Sequence, residues 1–299
     1  GDRVLVEAPT YLGALQAFNV YGAEYVSVPS DDDGIRTELL EVPLRSGPKF
    51  MYILPNFQNP GGTTLSEGRR QELVLLADRF GIPIVEDDPY GQLRYEGEHL
   101  PPLVELDRVN LRRDSGYSIG NVIYLSTFSK TLAPGLRLGW IVAPSEVISK
   151  MVQLKQGADL HTSTFAQIVA YEVAHENFMD GHIRMIRRLY GERRDAMLAA
   201  LEEFFPPEVS WTRPKGGLFL WVKLPEGMDC QRLFESAIKE NVAFVPGDSF
   251  YANNGGEGRR HLRLNFSYVP PDRIREGIRR LSIALKGQLE EIYPIVPVG

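Results

Sequence analysis

Cysteine, long apolar runs and paired metal ligands are scarce in this sequence of 299 residues. Its single cysteine, Cys230, cannot form an internal disulfide or a cysteine-based metal site, which favours a reducing, cytoplasmic location. The longest apolar runs fall well short of a membrane span, so we expect no transmembrane helix. The five histidines include no His-x-x-x-His pair, and metal catalysis is therefore not expected.

The charge balance is acidic, with a net charge of −6 and an isoelectric point near 5.5. This argues against a broad non-specific nucleic-acid surface, although the basic stretch 184–194 is either a local patch or, more commonly, a solvated helix face. Apolar residues make up 43% and charged residues 24% of the chain, as in ordinary globular proteins. The length suffices for roughly two domains.

In the first half, short apolar runs alternate with helical patterns, which predicts parallel strands joined by helices and covered on both faces. Ser66 is expected to cap a helix that ends at Gly81. From 145 to about 205 the pattern is helical, with breaks near Gly157 and at Asp180-Gly181. The predicted strands are 4–6, 25–28, 50–54, 82–85, 122–125 and 138–142.

The last third predicts a smaller α+β domain. It has candidate strands at 209–212, 218–224, 242–245 and 261–266 and a closing amphipathic helix. No long linker separates the two parts, so they should pack closely; we place a large domain at 1–182 and a small C-terminal domain at 183–299. The apolar face of the closing helix consists of Ile274, Ile278, Leu281 and Leu285.

The stretch around Lys130, just past an apolar strand, carries the clearest chemical signal. Its amine can condense with a carbonyl, while the hydroxyls of Thr127 and Ser129 and the guanidinium of Arg137 can hold a phosphate. These residue types suit an aldehyde-bearing phosphate and indicate a Schiff base with pyridoxal 5'-phosphate. Taken alone, Lys130 could equally be a surface lysine after a strand.

Two further strand ends carry polar residues, at the edge where open α/β sheets bind ligands. The segment 55–62, which includes Asn59, follows one strand and by itself could be simply a Pro/Gly turn. The acids Glu86, Asp87 and Asp88 follow another strand. A buried carboxylate there needs a cationic partner such as a protonated pyridine nitrogen, unless the acids lie in solvent in a capped loop.

Three short motifs follow one another along the chain. Asn-Pro-x-Gly begins at Asn59, Asp-x-x-Tyr begins at Asp87, and Thr-x-x-Lys ends at Lys130 and is followed by Arg137. This order resembles the fold-type I, pyridoxal-phosphate-dependent aminotransferases of class I/II over essentially the whole chain. The resemblance implies an aspartate aminotransferase-like α/β fold, with a mainly parallel sheet in the large domain and a smaller C-terminal α+β domain. Segments 58–62, 155–161, 214–217 and 242–247 resemble the 2-aminoadipate aminotransferase (LysN-like) branch.

The resemblance also implies catalytic roles. Lys130 would form the Schiff base and shuttle the proton between the substrate and cofactor carbons. Asp87 would pair with the ring nitrogen; it is preferred to Asp88 because it stands three residues before Tyr90. Arg263 would bind the substrate's α-carboxylate, unless its strand is an edge strand with the arginine facing water.

The remaining implied roles concern the cofactor. Asn59 and Tyr90 would hydrogen-bond the 3-oxygen of the ring, and Asn59 would also border the substrate. Thr127, Ser129 and Arg137 would bind the phosphate. Tyr11 would stack on the ring, although an aromatic residue after a Pro turn is often a core residue.

The family implies a ping-pong transfer of an amino group from 2-aminoadipate, glutamate, an aromatic or a branched-chain amino acid to a 2-oxo acid such as 2-oxoglutarate, in a cytoplasmic homodimer. The chain begins without an initiator methionine or signal peptide, and family members usually carry roughly a hundred residues before this point. We therefore expect it to be a fragment of a longer enzyme. That segment normally supplies a Gly/Ser-rich turn to the phosphate.

Two rival functions share the same motifs. In a GntR/MocR-type transcriptional regulator, a winged-helix DNA-binding domain precedes an aminotransferase-like sensor, and only under this alternative is nucleic acid a partner. A lyase or racemase on the same fold is the other. Lys130 is expected in all of them, so it does not separate them.

Overall fold

Apolar strands flanked by helices build a large sheet from the first half of the chain, and a second, smaller sheet follows. The computed structural model describes residues 1–110, 120–175, 178–253 and 255–293. The strands of the large sheet are β1 (Arg3–Ala8), β2 (Glu24–Asp31), β3 (Gly34–Ile35), β4 (Phe50–Ile53), β5 (Ile84–Asp87), β6 (Val122–Thr127) and β7 (Gly139–Val142). All six strands predicted for this half are present.

The large sheet has seven strands in the order β3-β2-β1-β4-β5-β6-β7. The pairs from β2 through β6 are parallel, whereas β3 and β7 pair antiparallel at the two edges. This confirms the predicted mainly parallel sheet. Leu5, Met51, Ile53 and Ile84 lie in its central core and are fully buried, as expected for strands covered on both faces. The edge strand β7 differs, because Trp140 and Val142 are each 40% exposed.

Helices connect these strands or follow the last of them. Those between strands are α1 (Leu12–Asn19), α2 (Glu41–Arg45), α3 (Glu67–Phe80) and α4 (Leu103–Asn110). After β7 come α5 (Ser145–Ala158), α6 (Thr164–His175) and α7 (Phe178–Phe204). Ser66 lies at the N-cap position of α3, but its side chain makes no capping hydrogen bond. Gly81 ends the helix in the left-handed conformation with φ 64°, as predicted. The break expected near Gly157 is also present, since α5 ends at Ala158.

The break predicted at Asp180-Gly181 is wrong, because both residues lie in the first turns of α7. A glycine in a helix costs about 1 kcal/mol relative to alanine. The packing of α7 offsets that cost, since Met197 and Leu201 share one core cluster with residues of the closing helix. The predicted domain boundary at 182/183 falls within α7, and the domain division itself stays a prediction.

The second sheet is antiparallel throughout, in the order β10-β11-β9-β8. The remaining elements are β8 (Ser210–Trp211), β9 (Phe219–Lys223), α8 (Cys230–Lys239), β10 (Val245–Pro246), β11 (His261–Asn265) and α9 (Pro271–Ile292). The strand predicted at 242–245 forms a ladder only from Val245, because Phe244 packs into the core from irregular backbone. The predicted apolar face of α9 is buried in that core. No helix within the described ranges is long and apolar enough to cross a membrane.

Candidate active site

The polar residues predicted from three separate motifs meet at one edge of the large sheet. β4, β5 and β6 lie side by side and run parallel, so their carboxyl ends point the same way. Asp87 is the last residue of β5, Asn59 lies in the loop after β4, and Lys130 lies just past β6. The sheet order therefore brings together groups that are far apart in sequence.

Arg263 joins this edge from the small sheet. Its Nη1 donates a 2.8 Å hydrogen bond to Oδ1 of Asn59, and its guanidinium carbon lies 4.2 Å from the ring centre of Phe219. Its Nε is buried and has no hydrogen-bond partner among the described residues. The alternative of an arginine facing water on an edge strand is wrong, because β11 lies between β10 and β9 and Arg263 points inward.

Tyr90 is buried beside Asn59, the residue with which it is predicted to share the 3-oxygen of the ring. The Asn59 side chain hydrogen-bonds the Tyr90 hydroxyl, which favours the ionised phenol. Burial nevertheless raises the pKa of Tyr90 far above its usual value, and the neighbouring Tyr11 and Asp87 add to the rise. Tyr90 is therefore a neutral phenol that can donate a hydrogen bond into the site.

Lys130 is half-buried and forms no hydrogen bond or ion pair within the described part of the chain. Burial lowers the pKa of its amine, and the positive charges of Arg137 and Arg263 lower it further. A larger fraction of the amine is therefore unprotonated than for a solvent-exposed lysine, which is the form that attacks a carbonyl. The alternative of an ordinary surface lysine does not fit this environment.

The two neighbouring aspartates have different environments. Asp87 Oδ2 accepts a 2.5 Å hydrogen bond from the hydroxyl of Tyr52. Asp88 instead closes a turn, since its Oδ1 accepts from the Gly91 amide at 2.8 Å and its Oδ2 from the Tyr124 hydroxyl at 3.2 Å. Both oxygens of Asp88 are thus used within the protein, whereas Asp87 accepts only one hydrogen bond within the described residues. This difference favours Asp87 as the partner of a ligand nitrogen.

The three residues predicted to bind phosphate follow β6. The hydroxyl of Thr127 donates to the carbonyl of Leu138 at 2.7 Å and accepts from the Ser129 amide at 3.0 Å. The two hydroxyls of Thr127 and Ser129 lie 3.0 Å apart. Arg137 adopts a left-handed backbone conformation with φ 54° at the end of a short 3-10 helix, and its Nη1 donates to the carbonyl of Pro134 at 3.1 Å. Its guanidinium is exposed and can turn to a ligand.

Tyr11 immediately precedes α1 and is 38% exposed, so it is not the core residue that an aromatic after a Pro turn often is. Its ring lies against Gly13, where a Cβ atom would come within 2.5 Å of the ring carbon Cζ. Gly13 therefore makes room for the Tyr11 ring. Tyr11 also contributes electrostatically to the pKa shifts of Tyr52, Tyr90 and Arg263, which places it near this edge of the sheet.

Two buried polar residues next to the site are missing from the sequence-based prediction. One is Tyr52, described above. The other is Glu7 on β1, whose Oε2 accepts from the Leu54 amide at 2.9 Å and which also hydrogen-bonds Gln58. Burial raises the pKa of Glu7 to about 8. The sequence feature that could have identified Glu7 is a carboxylate within the apolar run of β1, because a buried carboxylate needs hydrogen-bond partners.

These residues fit pyridoxal phosphate. Among the residues that the structure describes, the amine of Lys130 has no partner and Oδ1 of Asp87 accepts no hydrogen bond, and adjacent hydroxyls are present at Thr127 and Ser129. The buried N–H group at Nε of Arg263 has no acceptor among the described residues and can donate to an acidic group of a substrate. Among the described residues there is no group of three or more potential metal ligands.

Comparison with known families decides the assignment, since the model for aminotransferase class I and II matches residues 1–281. The chain belongs to this family. It is 46% identical to the aromatic-amino-acid aminotransferase 1 of Thermococcus litoralis, over 97% of this chain and 68% of that protein. It is also 46% identical to the 2-aminoadipate transaminase of Thermus thermophilus, over 97% of this chain and 70% of that enzyme.

Solved structures similar to this chain are aminotransferases as well. A Pyrococcus horikoshii kynurenine aminotransferase in complex with PMP superposes with a TM-score of 0.90 at 47% identity, covering 97% of this chain and 70% of that one. LysN from Thermus thermophilus, complexed with N-(5'-phosphopyridoxyl)-L-leucine, gives 0.90 at 44% identity, covering 97% and 72%. These relatives have the predicted aspartate aminotransferase-like α/β fold. The protein is a pyridoxal-phosphate-dependent transaminase that resembles the LysN branch.

Proposed function

We propose that the protein transfers an amino group between an amino acid and a 2-oxo acid such as 2-oxoglutarate in a ping-pong reaction that depends on Lys130. The observation that carries this proposal is the meeting of Lys130, Asp87 and the Asn59–Arg263 pair at one sheet edge. The amino donors that we propose are 2-aminoadipate, glutamate, and aromatic or branched-chain amino acids.

Bound pyridoxal phosphate supplies an electron-accepting ring that delocalises the electron pair left when a substrate loses its α-proton. The protein's residues prepare this chemistry. Asp87, when ionised, would hold a proton on the ring nitrogen, while Asn59 and Tyr90 would donate hydrogen bonds to the 3-oxygen. Thr127 and Ser129, together with Arg137, would bind the phosphate. Tyr11 would cover one face of the ring.

Lys130 would move the proton. Its amine lies past the end of β6, and the lowered pKa leaves a larger neutral fraction able to accept a proton from a carbon acid. The same nitrogen can return that proton to a neighbouring carbon, as transamination requires. A residue with a normal lysine pKa would be protonated almost completely at neutral pH.

Arg263 would hold the substrate's α-carboxylate. Phe219 and Phe250 flank its guanidinium, at 4.2 and 5.0 Å from their ring centres, and the Asn59 bond fixes one of its nitrogens. The other N–H donors of the Arg263 guanidinium are therefore held in one plane, where they can form a bidentate ion pair with a carboxylate. The bound carboxylate would place the α-carbon near Lys130, whose pKa is lowered in part by Arg263 itself.

A donor panel tests this function. The protein is loaded with pyridoxal phosphate and given 2-oxoglutarate with 2-aminoadipate, kynurenine, phenylalanine, tyrosine, leucine or aspartate, and glutamate formation is measured. Turnover should be highest with 2-aminoadipate or an aromatic donor, since relatives named for these substrates are 46% identical to this chain. Lys130→Ala should abolish turnover, whereas Lys150→Ala, which removes an exposed lysine of α5, should not.

The second candidate is a sensor domain of a regulator. It is supported by a 34% identity to the HTH-type transcriptional regulator YisV of Bacillus subtilis, over 92% of this chain and 54% of that protein. This identity is lower than the 46% shared with the two enzymes. Cofactor binding through Lys130 without turnover of any donor would favour the sensor over the enzyme.

We also propose a homodimer and the division into domains 1–182 and 183–299. Apolar side chains that are largely exposed on α5 and α6, among them Leu154, Phe165 and Tyr171, support the dimer, because contiguous exposed apolar surface usually marks an interface. The cytoplasmic location stays a prediction based on the single cysteine.

A further inference from the structure

Tyr52 occupies an unusual place for a polar group. It lies within β4 and is 3% exposed, and its ring packs edge-on against Phe18 with ring centres 5.5 Å apart. Val4 and Val6 of the neighbouring strand belong to the same apolar cluster. Its hydroxyl nevertheless leaves this cluster and reaches Oδ2 of Asp87. A phenylalanine would fill the same space, so packing alone does not account for the hydroxyl.

The surroundings of the Tyr52–Asp87 pair are acidic or neutral. Glu7 from β1 and Tyr11 ahead of α1 face Tyr52, and Asp88, just past the end of β5, faces Asp87. No cation is hydrogen-bonded to the Asp87 carboxylate in the described ranges. The Tyr52 hydroxyl is therefore its one hydrogen-bond donor among these residues.

The two influences on Asp87 oppose each other. Burial raises the pKa of its carboxyl group, and the nearby charge of Asp88 raises it further. The hydrogen bond from Tyr52 lowers it, because a donor stabilises the charged form. Tyr52 itself remains a donor, since burial and the neighbouring carboxylate raise its own pKa far above the ordinary value.

We propose that Tyr52 is a positioning residue for transamination, whose hydroxyl fixes Oδ2 of Asp87 and keeps this carboxylate ionised, leaving Oδ1 to the ring nitrogen of pyridoxal phosphate. This inference rests on the proposed function. Without the hydroxyl, the proton shared between Asp87 and the ring nitrogen shifts toward Asp87. A ring that has lost this proton is a weaker electron acceptor, and the nitrogen of cofactor-bound Lys130 becomes more basic.

Tyr124 provides a matched control. Its hydroxyl donates to Oδ2 of Asp88 at 3.2 Å, so it is a second tyrosine bonded to an aspartate of the same acidic cluster. Tyr124 lies on β6 and Tyr52 lies on β4, the two strands that flank β5. Tyr124→Phe removes a comparable hydrogen bond while leaving Asp87 untouched.

The experiment compares the cofactor-loaded wild-type protein with Tyr52→Phe and Tyr124→Phe. The visible absorption band of the bound cofactor is titrated with pH, the cofactor dissociation constant is measured by equilibrium dialysis, and kcat and KM are determined. We expect Tyr52→Phe to raise the pH midpoint of the band by about one unit and to weaken cofactor binding roughly tenfold, as for loss of a hydrogen bond to a charged group. It should lower kcat about tenfold and change KM little. Tyr124→Phe should leave all of these near the wild-type values.

A double variant makes the test specific. If Tyr52 acts through Asp87, then Tyr52→Phe should change little once Asp87→Asn has removed the carboxylate charge. An unchanged midpoint in folded Tyr52→Phe, an equal shift in Tyr124→Phe, or full additivity with Asp87→Asn would each overturn the inference. A wild-type protein without a visible band would instead contradict the proposed function, so the two failures are distinguishable.

Discussion

At the scale of single residues, the site depends on polar groups whose partners are incomplete. Within the described ranges, the buried Nε of Arg263 and the amine of Lys130 have no hydrogen-bond partner, and the Asp87 carboxylate has one. Buried polar groups in native proteins are nearly always satisfied, so each such gap calls for an explanation. A bound cofactor and an acidic substrate would satisfy all three.

Arg263→Lys should raise KM for the amino-acid donor by roughly 10- to 100-fold, because a point charge replaces a planar fork that fits a carboxylate. The visible spectrum of the bound cofactor should change little, since the partner that we propose for Arg263 is the substrate and not the cofactor. Arg260→Lys, just before the same strand, is the control; Arg260 lies 3.8 Å from Glu226, whose side chain is 91% exposed. Equal KM values for Arg263→Lys and wild type would exclude the carboxylate role.

Glu7 predicts a pH dependence of stability. Its pKa is raised from 4.5 to about 8 by burial, so the folded protein keeps a proton that the unfolded chain releases above pH 4.5. Stability should therefore fall as pH rises from about 4.5 to about 8 and then level off, by a few kcal/mol (~3–5) for this group.

Urea unfolding at pH 5 and pH 9 measures this effect. Glu7→Gln should reduce the loss of stability between the two pH values, because the amide does not titrate. Burial also raises the pKa of Glu86, to about 7, but this group is present in both proteins, so only the difference between them reports on Glu7. Parallel stability profiles of the variant and the wild type would show that Glu7 is ionised in the folded state.

Residue identity in the site was predictable where a motif fixes order and spacing. Asn59, Asp87 and Lys130 lie at one edge because parallel strands end on the same side of the sheet. Tyr52 was not predictable, since an aromatic residue on a strand is equally well explained by packing, and its hydroxyl partner comes from a different strand. Side-chain hydrogen bonds across a sheet depend on register, which the sequence alone does not specify.

At the scale of elements, the strands were easier to predict than the helix ends. Continuous apolar runs identified every strand of the parallel core, because strands buried on both faces have few polar residues. Gly181 misled the prediction of α7, since tertiary packing outweighs the local cost of one glycine. The strand predicted at 242–245 begins only at Val245, because apolar residues are also needed where irregular backbone covers a core, as at Phe244.

The closing helix α9 offers a prediction at this scale. Leu281 is fully buried in the cluster that α9 shares with α7, and Leu281→Ala should destabilise the protein by about 2–5 kcal/mol. Ile283, two residues further, is 46% exposed, and Ile283→Ala should cost less than ~1 kcal/mol. Denaturant unfolding compares the two. Equal losses would mean that the predicted apolar face of α9 is not the packed one.

At the scale of the whole molecule, the two sheets contribute to one site. The hydrogen bond from Arg263 of the small sheet to Asn59 of the large one joins them, and the Tyr95 hydroxyl also donates to the carbonyl of Gly217. The proposed substrate contact at Arg263 and the proposed cofactor contacts at Asp87 and Lys130 therefore come from different parts of the chain.

The proposed dimer can be tested at the same scale. Phe165 and Tyr171 on α6 are 76% and 65% exposed, and charges placed there should disrupt an apolar contact between subunits. Sedimentation should give a dimer for the wild type and a monomer for the double variant Phe165→Glu/Tyr171→Glu. Glu substitution at exposed Tyr268, in the loop before α9, is the control and should leave the dimer intact. A wild-type monomer at all concentrations would contradict the proposal.

The central claim is that pyridoxal phosphate is held covalently by Lys130. Its most direct test is borohydride reduction of the cofactor-loaded protein, followed by proteolysis and mass spectrometry of every lysine-containing peptide. The account predicts a phosphopyridoxyl group on Lys130 alone, lost when an amino donor is added before the reduction. A label on another lysine such as Lys150, or no label on a protein that binds the cofactor, would contradict it.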